Sequence, residues 1–174
     1  MAKGFAVGAE VPDIALPATD GQTINLRRLT GVSVVYAYPR TGVPGAVPIL
    51  GWGDIPGATG CTPQSCGFRD HHAELLAAGA SQVFGLSTQD TAYQKEAVDR
   101  LQLPFAILSD EELRFASALG LTTFEAGGMV LLKRVSFVIE DGRLIMVMPD
   151  VPDPAENAEE VLAWLRGRPR TPSA

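Results

Sequence analysis

The chain has two cysteines, Cys61 and Cys66, and both lie in the first turns of a predicted helix. A loop rich in glycine and proline precedes this helix, so that Cys61 follows Gly60 directly at the helix start. Free backbone N–H groups and the helix dipole favour a negative charge at such a position. Because the thiolate is the nucleophilic form of cysteine, Cys61 is where a reactive thiol is expected.

The spacing of the two cysteines limits how their sulfur atoms can meet. Five residues of intact helix correspond to a rise of ~7.5 Å and a rotation of ~140°, which place the two Cα atoms ~8–9 Å apart. A disulfide tolerates at most ~6.8 Å between Cα atoms. If Cys61 and Cys66 pair, the first turns of the helix must therefore unwind.

Other interpretations of these residues remain open from the residues alone. Free cysteines are often buried without any chemistry, and two cysteines five residues apart make a poor zinc site. His71 and His72 follow Asp70, which suggests a metal or catalytic site. Adjacent helical residues point about 100° apart, however, and this favours a solvated helix face for the two histidines.

Length and composition indicate one ordinary globular domain over residues 1–174, with 46% hydrophobic and 20% charged residues. The net charge of −6 argues against nucleic acid as the main partner. Neither a signal peptide nor a membrane-spanning apolar run is recognised, so we expect a cytoplasmic protein with no membrane partner. In a reducing compartment, two cysteines favour reactive chemistry over a permanent disulfide.

The hydrophobic pattern predicts alternating strands and helices, with one hairpin near the start and another late in the chain. Residues 39–60 contain four prolines and six glycines and are predicted to form a long loop, and residues 166–174 a frayed end. The predicted strands are 13–17, 23–26, 32–38, 83–87, 105–108, 134–140 and 143–147, and the predicted helices are 62–78, 90–101, 109–119 and 157–165. This order predicts an α/β thioredoxin-like fold, with a mixed central sheet flanked by helices.

The segment around the cysteines resembles a known active site. Residues 60–70 read GCTPQSCGFRD and are similar to the active site of peroxiredoxins of the bacterioferritin comigratory protein type, also called peroxiredoxin Q. Further similar segments occur in the family's order along nearly the whole chain, at residues 7–13, 38–39, 85–87, 103–105, 108–110 and 134–139. An ordered set of this kind is more specific than any single motif.

The resemblance implies a peroxidase that acts on hydrogen peroxide and small organic hydroperoxides. It assigns to Cys61 the attack on the peroxide O–O bond, which yields a sulfenic acid, and to Cys66 the formation of an intramolecular disulfide. It assigns to Arg134 the stabilisation of the thiolate and the orientation of the peroxide. Gln64 is expected to orient these groups. The implied reductant is thioredoxin or a glutaredoxin-like dithiol protein. The implied enzyme needs no metal or organic cofactor and is a monomer or homodimer.

Two departures from the family pattern concern the loop before Cys61. The pattern Pro-x-x-x-Thr-x-x-Cys places a hydroxyl three residues before the cysteine, where this chain has Ala58, and Thr59 is the candidate replacement. Twenty-one residues separate Pro39 from Cys61 where the pattern has six, so the loop is about fifteen residues longer. Trp52, within this loop, is expected either to pack over the cysteine pocket or to anchor the loop.

Three rival functions follow from the same residues. A thiol–disulfide oxidoreductase usually carries Cys-x-x-Cys, and the longer spacing here argues against it. A peroxide-sensing redox switch would use the same reactive thiol without catalytic turnover. A partner-binding module would use the loop that contains Trp52.

Overall fold

A mixed five-stranded sheet forms the centre of the structure, a computed structural model that describes residues 4–169. The strands are β1 Ala15–Pro17, β2 Thr23–Asn25, β3 Val32–Ala37, β4 Gln82–Ser87, β5 Ile107–Ser109, β6 Thr123–Ala126, β7 Met129–Leu132, β8 Val135–Glu140 and β9 Arg143–Met148. The helices are α1 Cys61–Asp70, α2 His72–Ala77, α3 Thr91–Leu101, α4 Arg114–Leu119 and α5 Asn157–Gly167. The sheet order is β5-β4-β3-β8-β9, in which β3, β4 and β5 are parallel and β8 and β9 are antiparallel to them.

Strand β3 is the middle strand, and its side chains serve two hydrophobic cores. Val35 and Ala37 point to one face, and Val34 and Tyr36 point to the other, as the two-residue period of a strand requires. The second face packs against α1, α2, α3 and α5. There the Tyr36 ring stacks on Phe68 of α1 at 4.5 Å between ring centroids. This contact fixes α1, and with it the helix start at Cys61, on the sheet.

The late hairpin agrees with its prediction. Asp141 and Gly142 connect β8 to β9 and both have positive φ, at 48° and 84°. Two-residue turns of this kind match the twist of the strands that they join. A Cβ at Gly142 would lie 2.5 Å from the carbonyl oxygen of Arg27, so this position accepts only glycine.

The predicted helix over 62–78 is wrong in one respect, because α1 ends at Asp70 and α2 begins at His72. The ring of the intervening His71 lies between the carboxylates of Glu74 and Glu159, at 3.0 and 3.3 Å. Glu74 belongs to α2 and Glu159 to α5. The helix is therefore interrupted at a residue that takes part in tertiary contacts, which local propensity does not reveal. The predicted solvated face of the two histidines is half-buried in the structure.

The predicted helix over 109–119 begins too early, since α4 begins at Arg114. Ser109 ends β5, and its hydroxyl donates to the carbonyl oxygen of Gln89. The carboxylate of Asp110 instead accepts from the backbone N–H groups of Phe115 and Ala116, at 3.0 and 2.8 Å. The cap therefore acts across a turn rather than from the residue next to the helix.

The other differences are small. The hairpin of β6 and β7, which turns at Gly127-Gly128, had no predicted counterpart. The loop at 39–60 is irregular as predicted, apart from a 3₁₀ turn at Trp52–Asp54. The final helix extends to Gly167, two residues into the segment predicted to fray, and residues 170–174 of that segment lie outside the described residues.

Candidate active site

Gly60 turns the loop into α1 and places Cys61 at the first helical position. Its φ of 105° lies in the left-handed region, and a Cβ there would lie 2.7 Å from Cγ of Pro154. Both features require glycine. Cys61 is 4% exposed and belongs to the hydrophobic cluster on the α1 face of the sheet. The structure therefore has a buried thiol at a helix N-terminus.

Arg134, which directly precedes β8, reaches the sulfur of Cys61. Its Nη2 donates to Cys61 Sγ at 3.2 Å, to the Thr59 carbonyl oxygen at 3.0 Å and to the Gly57 carbonyl oxygen at 3.3 Å. The guanidinium is buried, with 6% of the residue exposed, and within residues 4–169 no carboxylate forms an ion pair with it. Because a buried charge without a counter-charge is costly, a thiolate at Cys61 would be its natural partner.

Gln64, one turn along α1, contacts the other side of the guanidinium. Its Oε1 accepts from Nη1 of Arg134 at 2.6 Å, and its Nε2 donates to Oδ1 of Asn157 at 3.0 Å. Ser136 donates its hydroxyl to the same Asn157 oxygen at 2.6 Å. Gln64, Ser136 and Asn157 are fully buried. The predicted pair of Gln64 and Arg134 therefore belongs to a longer hydrogen-bonded chain.

Asn157 and Ser136 were not predicted as site residues from the sequence. Ser136 lies two residues after Arg134 at the start of a strand, so the strand period could have placed the two side chains on one face. Asn157 was recognised only as a residue at a helix start. Nothing in the sequence indicates that this end of α5 meets α1.

Thr59 and Ala58 contribute main-chain atoms to the site. The Thr59 residue is exposed, and it meets Arg134 through its carbonyl oxygen. Its hydroxyl makes no hydrogen bond to any residue of the described chain. The carbonyl oxygen of Ala58 accepts from the Cys61 thiol at 3.8 Å. Thr59 thus contacts Arg134 through its carbonyl oxygen. Its hydroxyl does not take the place of the hydroxyl that the family pattern has at the position of Ala58.

Cys66 lies on the same helix as Cys61, and both are free thiols. Cys66 is half-buried, and the helix between the two is intact, with the Gln64 N–H donating to the Gly60 carbonyl oxygen at 3.0 Å. The structure therefore holds the two sulfur atoms on one helix without joining them. It corresponds to the reduced, folded arrangement from which unwinding would start.

Two tyrosines line the apolar side of the site: Tyr36 lies in β3, and Tyr38 follows the end of that strand. Tyr36 and Tyr38 are fully buried in the same cluster as Cys61, and the Tyr36 hydroxyl donates to the Ser65 hydroxyl at 3.0 Å. Burial raises the pKa of both phenols above its ordinary value. The two phenols therefore stay neutral, and neither competes as an anion with a Cys61 thiolate for the positive charge of Arg134.

The lengthened loop packs on the hairpin of β6 and β7. The ring of Trp52 lies 6.3 Å from that of Phe124 on β6, and Ile49 contacts Gly127 at the hairpin turn. Trp52 therefore anchors the loop. Arg40, at the beginning of the loop, places its guanidinium 4.9 Å above the ring of Tyr93 on α3.

His72 packs against the ring of Phe105, and burial lowers the pKa of its imidazole. Residues 4–169 hold no group of three or more His, Cys, Asp and Glu that could ligate a metal ion. The described helices also include none with the length and apolar character needed to cross a membrane.

Comparisons with known proteins decide the family. The family model described as Redoxin matches residues 6–162. The protein "Peroxiredoxin Bcp" of Escherichia coli K12 is 31% identical over 164 residues, which cover 91% of this chain and 94% of that protein. The chain belongs to the peroxiredoxins. Members of this family are thiol peroxidases, so the enzyme class predicted from the sequence is confirmed.

Two further relatives agree with this assignment. "Peroxiredoxin bcp1" of Schizosaccharomyces pombe is 34% identical over 138 residues, which cover 78% of this peroxiredoxin and 61% of that longer relative. The crystal structure of peroxidoxin BcpB from Mycobacterium tuberculosis superposes with a TM-score of 0.75 at 26% identity, over 94% of this chain and 98% of the other. The predicted thioredoxin-like fold and the resemblance to the bacterioferritin comigratory protein type are therefore both confirmed.

Proposed function

We propose that this peroxiredoxin reduces hydrogen peroxide and small organic hydroperoxides with Cys61 as the nucleophile and Cys66 as the resolving thiol. The observation that carries the proposal is the 3.2 Å contact between Arg134 Nη2 and Cys61 Sγ, at the buried start of α1. A fixed positive charge and the helix N-terminus both favour the thiolate there.

In the first step the Cys61 thiolate attacks one oxygen of the peroxide. The new S–O bond forms as the O–O bond breaks, so that sulfur is oxidised to a sulfenic acid and the peroxide is reduced. The other oxygen leaves as hydroxide or alkoxide and takes up a proton to give water or an alcohol. Arg134 supports this step because its N–H groups can stabilise the negative charge that develops on the leaving oxygen.

In the second step the Cys66 sulfur attacks the oxidised Cys61 sulfur. A disulfide forms, and the sulfenic oxygen leaves as water after protonation. An intact α1 keeps the two Cα atoms ~8–9 Å apart, beyond the ~6.8 Å that a disulfide allows. Gly67 is a poor helix-interior residue and lowers the cost of opening this segment.

Formation of the Cys61–Cys66 disulfide is expected to melt the first one or two turns of α1. Within residues 61–68, the amides from Gln64 onward form helical hydrogen bonds and should exchange slowly in the reduced protein and faster in the disulfide form, because exchange requires those bonds to open. Helix α3, which carries neither cysteine, is the internal control and should exchange equally in both forms.

Equal protection of residues 61–68 in both forms would contradict this expectation, provided that mass spectrometry confirms the disulfide. If mass spectrometry finds no Cys61–Cys66 disulfide, Cys61 must be resolved by a thiol from another molecule.

A dithiol protein such as thioredoxin or a glutaredoxin-like protein is the proposed reductant, since thiol–disulfide exchange returns both cysteines to thiols while the reductant becomes a disulfide. The test is peroxide turnover with thioredoxin, its reductase and NADPH, with a glutaredoxin system in a parallel arm. We expect sustained turnover that consumes one NADPH per peroxide in at least one arm. Consumption that stops at one peroxide per chain in both arms would favour the redox-switch rival.

A further inference from the structure

Asn157, the first residue of α5, hydrogen-bonds both Gln64 and Ser136 but forms no hydrogen bond with the Cys61 thiol or the Arg134 guanidinium. We infer that Asn157 is a positioning residue for peroxide reduction, which acts through Gln64 to hold Arg134 on Cys61. The inference rests on the proposed role of Cys61. It adds to that role a residue from the far end of the chain.

The Gln64 side chain can present either end of its amide to Arg134. A side-chain amide has a donor end and an acceptor end of nearly the same shape, so its orientation depends on what it bonds. Arg134 only donates and therefore needs the Oε1 end, at 2.6 Å from its Nη1. A reversed amide would direct N–H groups at the guanidinium, which would repel it.

Asn157 selects the orientation that Arg134 needs. Its Oδ1 is an acceptor that faces Gln64 Nε2 at 3.0 Å, so the donor end of Gln64 is held on the side away from Arg134. The Asn157 amide is itself oriented, because the Ser136 hydroxyl donates to the same Oδ1 at 2.6 Å and Nδ2 faces the Met148 sulfur at 3.6 Å. Each link in this chain thus fixes the direction of the next.

The contacts of Arg134 are unevenly distributed over its three nitrogens, and of the described residues Gln64 alone holds Nη1. Its Nε is buried and has no hydrogen-bond partner in the part of the chain that the structure describes. Nη1 is held by Gln64, while Nη2 divides its contacts between main-chain carbonyl oxygens and Cys61 Sγ. Loss of the Nη1 contact would leave partners at Nη2 only, so that the guanidinium could pivot about Nη2 and turn its N–H groups away from the sulfur.

The backbone around Asn157 is well placed to serve as a rigid support. The segment before it, Pro154–Glu156, packs directly on α1. A Cβ at Gly67 would lie 3.1 Å from the Ala155 carbonyl oxygen, and one at Gly60 would lie 2.7 Å from Pro154. These close approaches at two points of α1 fix the distance from Asn157 to Gln64.

The test is Asn157→Leu in a Cys66→Ser background, where oxidation of Cys61 can be followed for a single turnover. Leucine has the branched heavy-atom skeleton of asparagine, with methyl groups in place of Oδ1 and Nδ2, and therefore has no acceptor. We expect the second-order rate constant with hydrogen peroxide to fall roughly ten- to hundred-fold, since small misplacements of a catalytic group cost rates of this size. The pH profile of Cys61 alkylation should also shift to higher pH. A general loss of stability would not cause this shift.

Two controls separate positioning from stability. Gln94→Leu removes another fully buried amide, which bonds Ser87 Oγ and the Leu108 carbonyl oxygen and forms no hydrogen bond with Cys61, Gln64, Arg134 or Asn157. It should lower the urea midpoint in a similar way and leave both readouts unchanged. Gln64→Leu should slow oxidation as Asn157→Leu does, and the double variant should be no slower than Gln64→Leu alone, because two residues that act in series are not additive.

A folded Asn157→Leu protein with the rate and alkylation profile of its background would overturn the inference, and so would additive effects in the double variant. If Asn157→Leu does not fold, Asn157→Ser replaces it, because the shorter hydroxyl cannot span to Gln64 Nε2, and the same losses are expected. Failure of the parent Cys66→Ser protein to react with peroxide would instead contradict the role of Cys61 on which the inference rests.

Discussion

Cys61→Ser is expected to abolish peroxide reduction, with a loss of at least ~10³-fold, because removal of a catalytic nucleophile leaves only residual activity. A serine hydroxyl stays protonated at neutral pH, and its oxygen cannot replace the thiolate as the attacking atom. The substitution replaces a single atom, sulfur by oxygen. The protein should therefore remain folded, which circular dichroism can check. Steady-state peroxide consumption with the reductant system measures the effect.

Cys66→Ser is the matched variant on the same helix. It should complete one round of oxidation at Cys61 and then stop, because no thiol of the chain remains to resolve the sulfenic acid. If Cys61→Ser kept most of the activity while Cys66→Ser lost it, the assigned roles of the two cysteines would be reversed.

Arg134→Met is expected to have the second largest effect, a fall of roughly 10²–10³-fold in the rate of Cys61 oxidation, as for removal of a donor that stabilises a developing oxyanion. The methionine fills much of the same buried space but supplies neither charge nor N–H groups. Cys61 should also become alkylated only at higher pH, because the thiolate loses its positive neighbour. Stopped-flow oxidation and the pH dependence of alkylation measure the two effects.

Arg143→Met is a suitable control for this substitution. Arg143 lies on β9, is largely exposed and pairs with Glu10 at 2.7 Å. An exposed ion pair contributes little to stability, so this variant should match the wild type in both measurements. An unchanged oxidation rate and alkylation profile in Arg134→Met would remove Arg134 from the site.

The parts of the fold that sequence predicted well are those encoded by local pattern. The apolar, β-branched run of β3, the late hairpin that turns at Asp141-Gly142, and the helix start at Asp90 each depend on residues close together in the chain. The side chain of Asp90 accepts from the Tyr93 N–H at 2.7 Å, as an acidic N-cap should. Local composition, turn residues and capping residues were sufficient to predict these elements.

The parts that sequence missed depend on contacts between distant segments. The break at His71 accompanies carboxylates from α2 and α5, and α4 begins where Asp110 can cap it across a turn. The anchoring of the long loop by Trp52 needs Phe124, from a hairpin that was not predicted. None of these partners can be assigned from one sequence without knowing the packing.

The candidate site shows the same division. The resemblance selected Cys61, Cys66, Gln64 and Arg134, and the structure places Arg134 and Gln64 in contact with each other, with Arg134 also in contact with the Cys61 sulfur. It could not show that Asn157 would complete the network, since the residue enters through the packing of α5 on α1. It also could not show that Thr59 would present its carbonyl oxygen.

The central claim is that the Cys61 sulfur receives an oxygen atom from the peroxide. The most direct measurement is mass spectrometry of the Cys66→Ser protein after one equivalent of hydrogen peroxide, with a sulfenic-acid trapping reagent present. The proposed role predicts the trapped adduct on Cys61 in nearly stoichiometric amount. Consumption of the peroxide with an unmodified Cys61 thiol would contradict it.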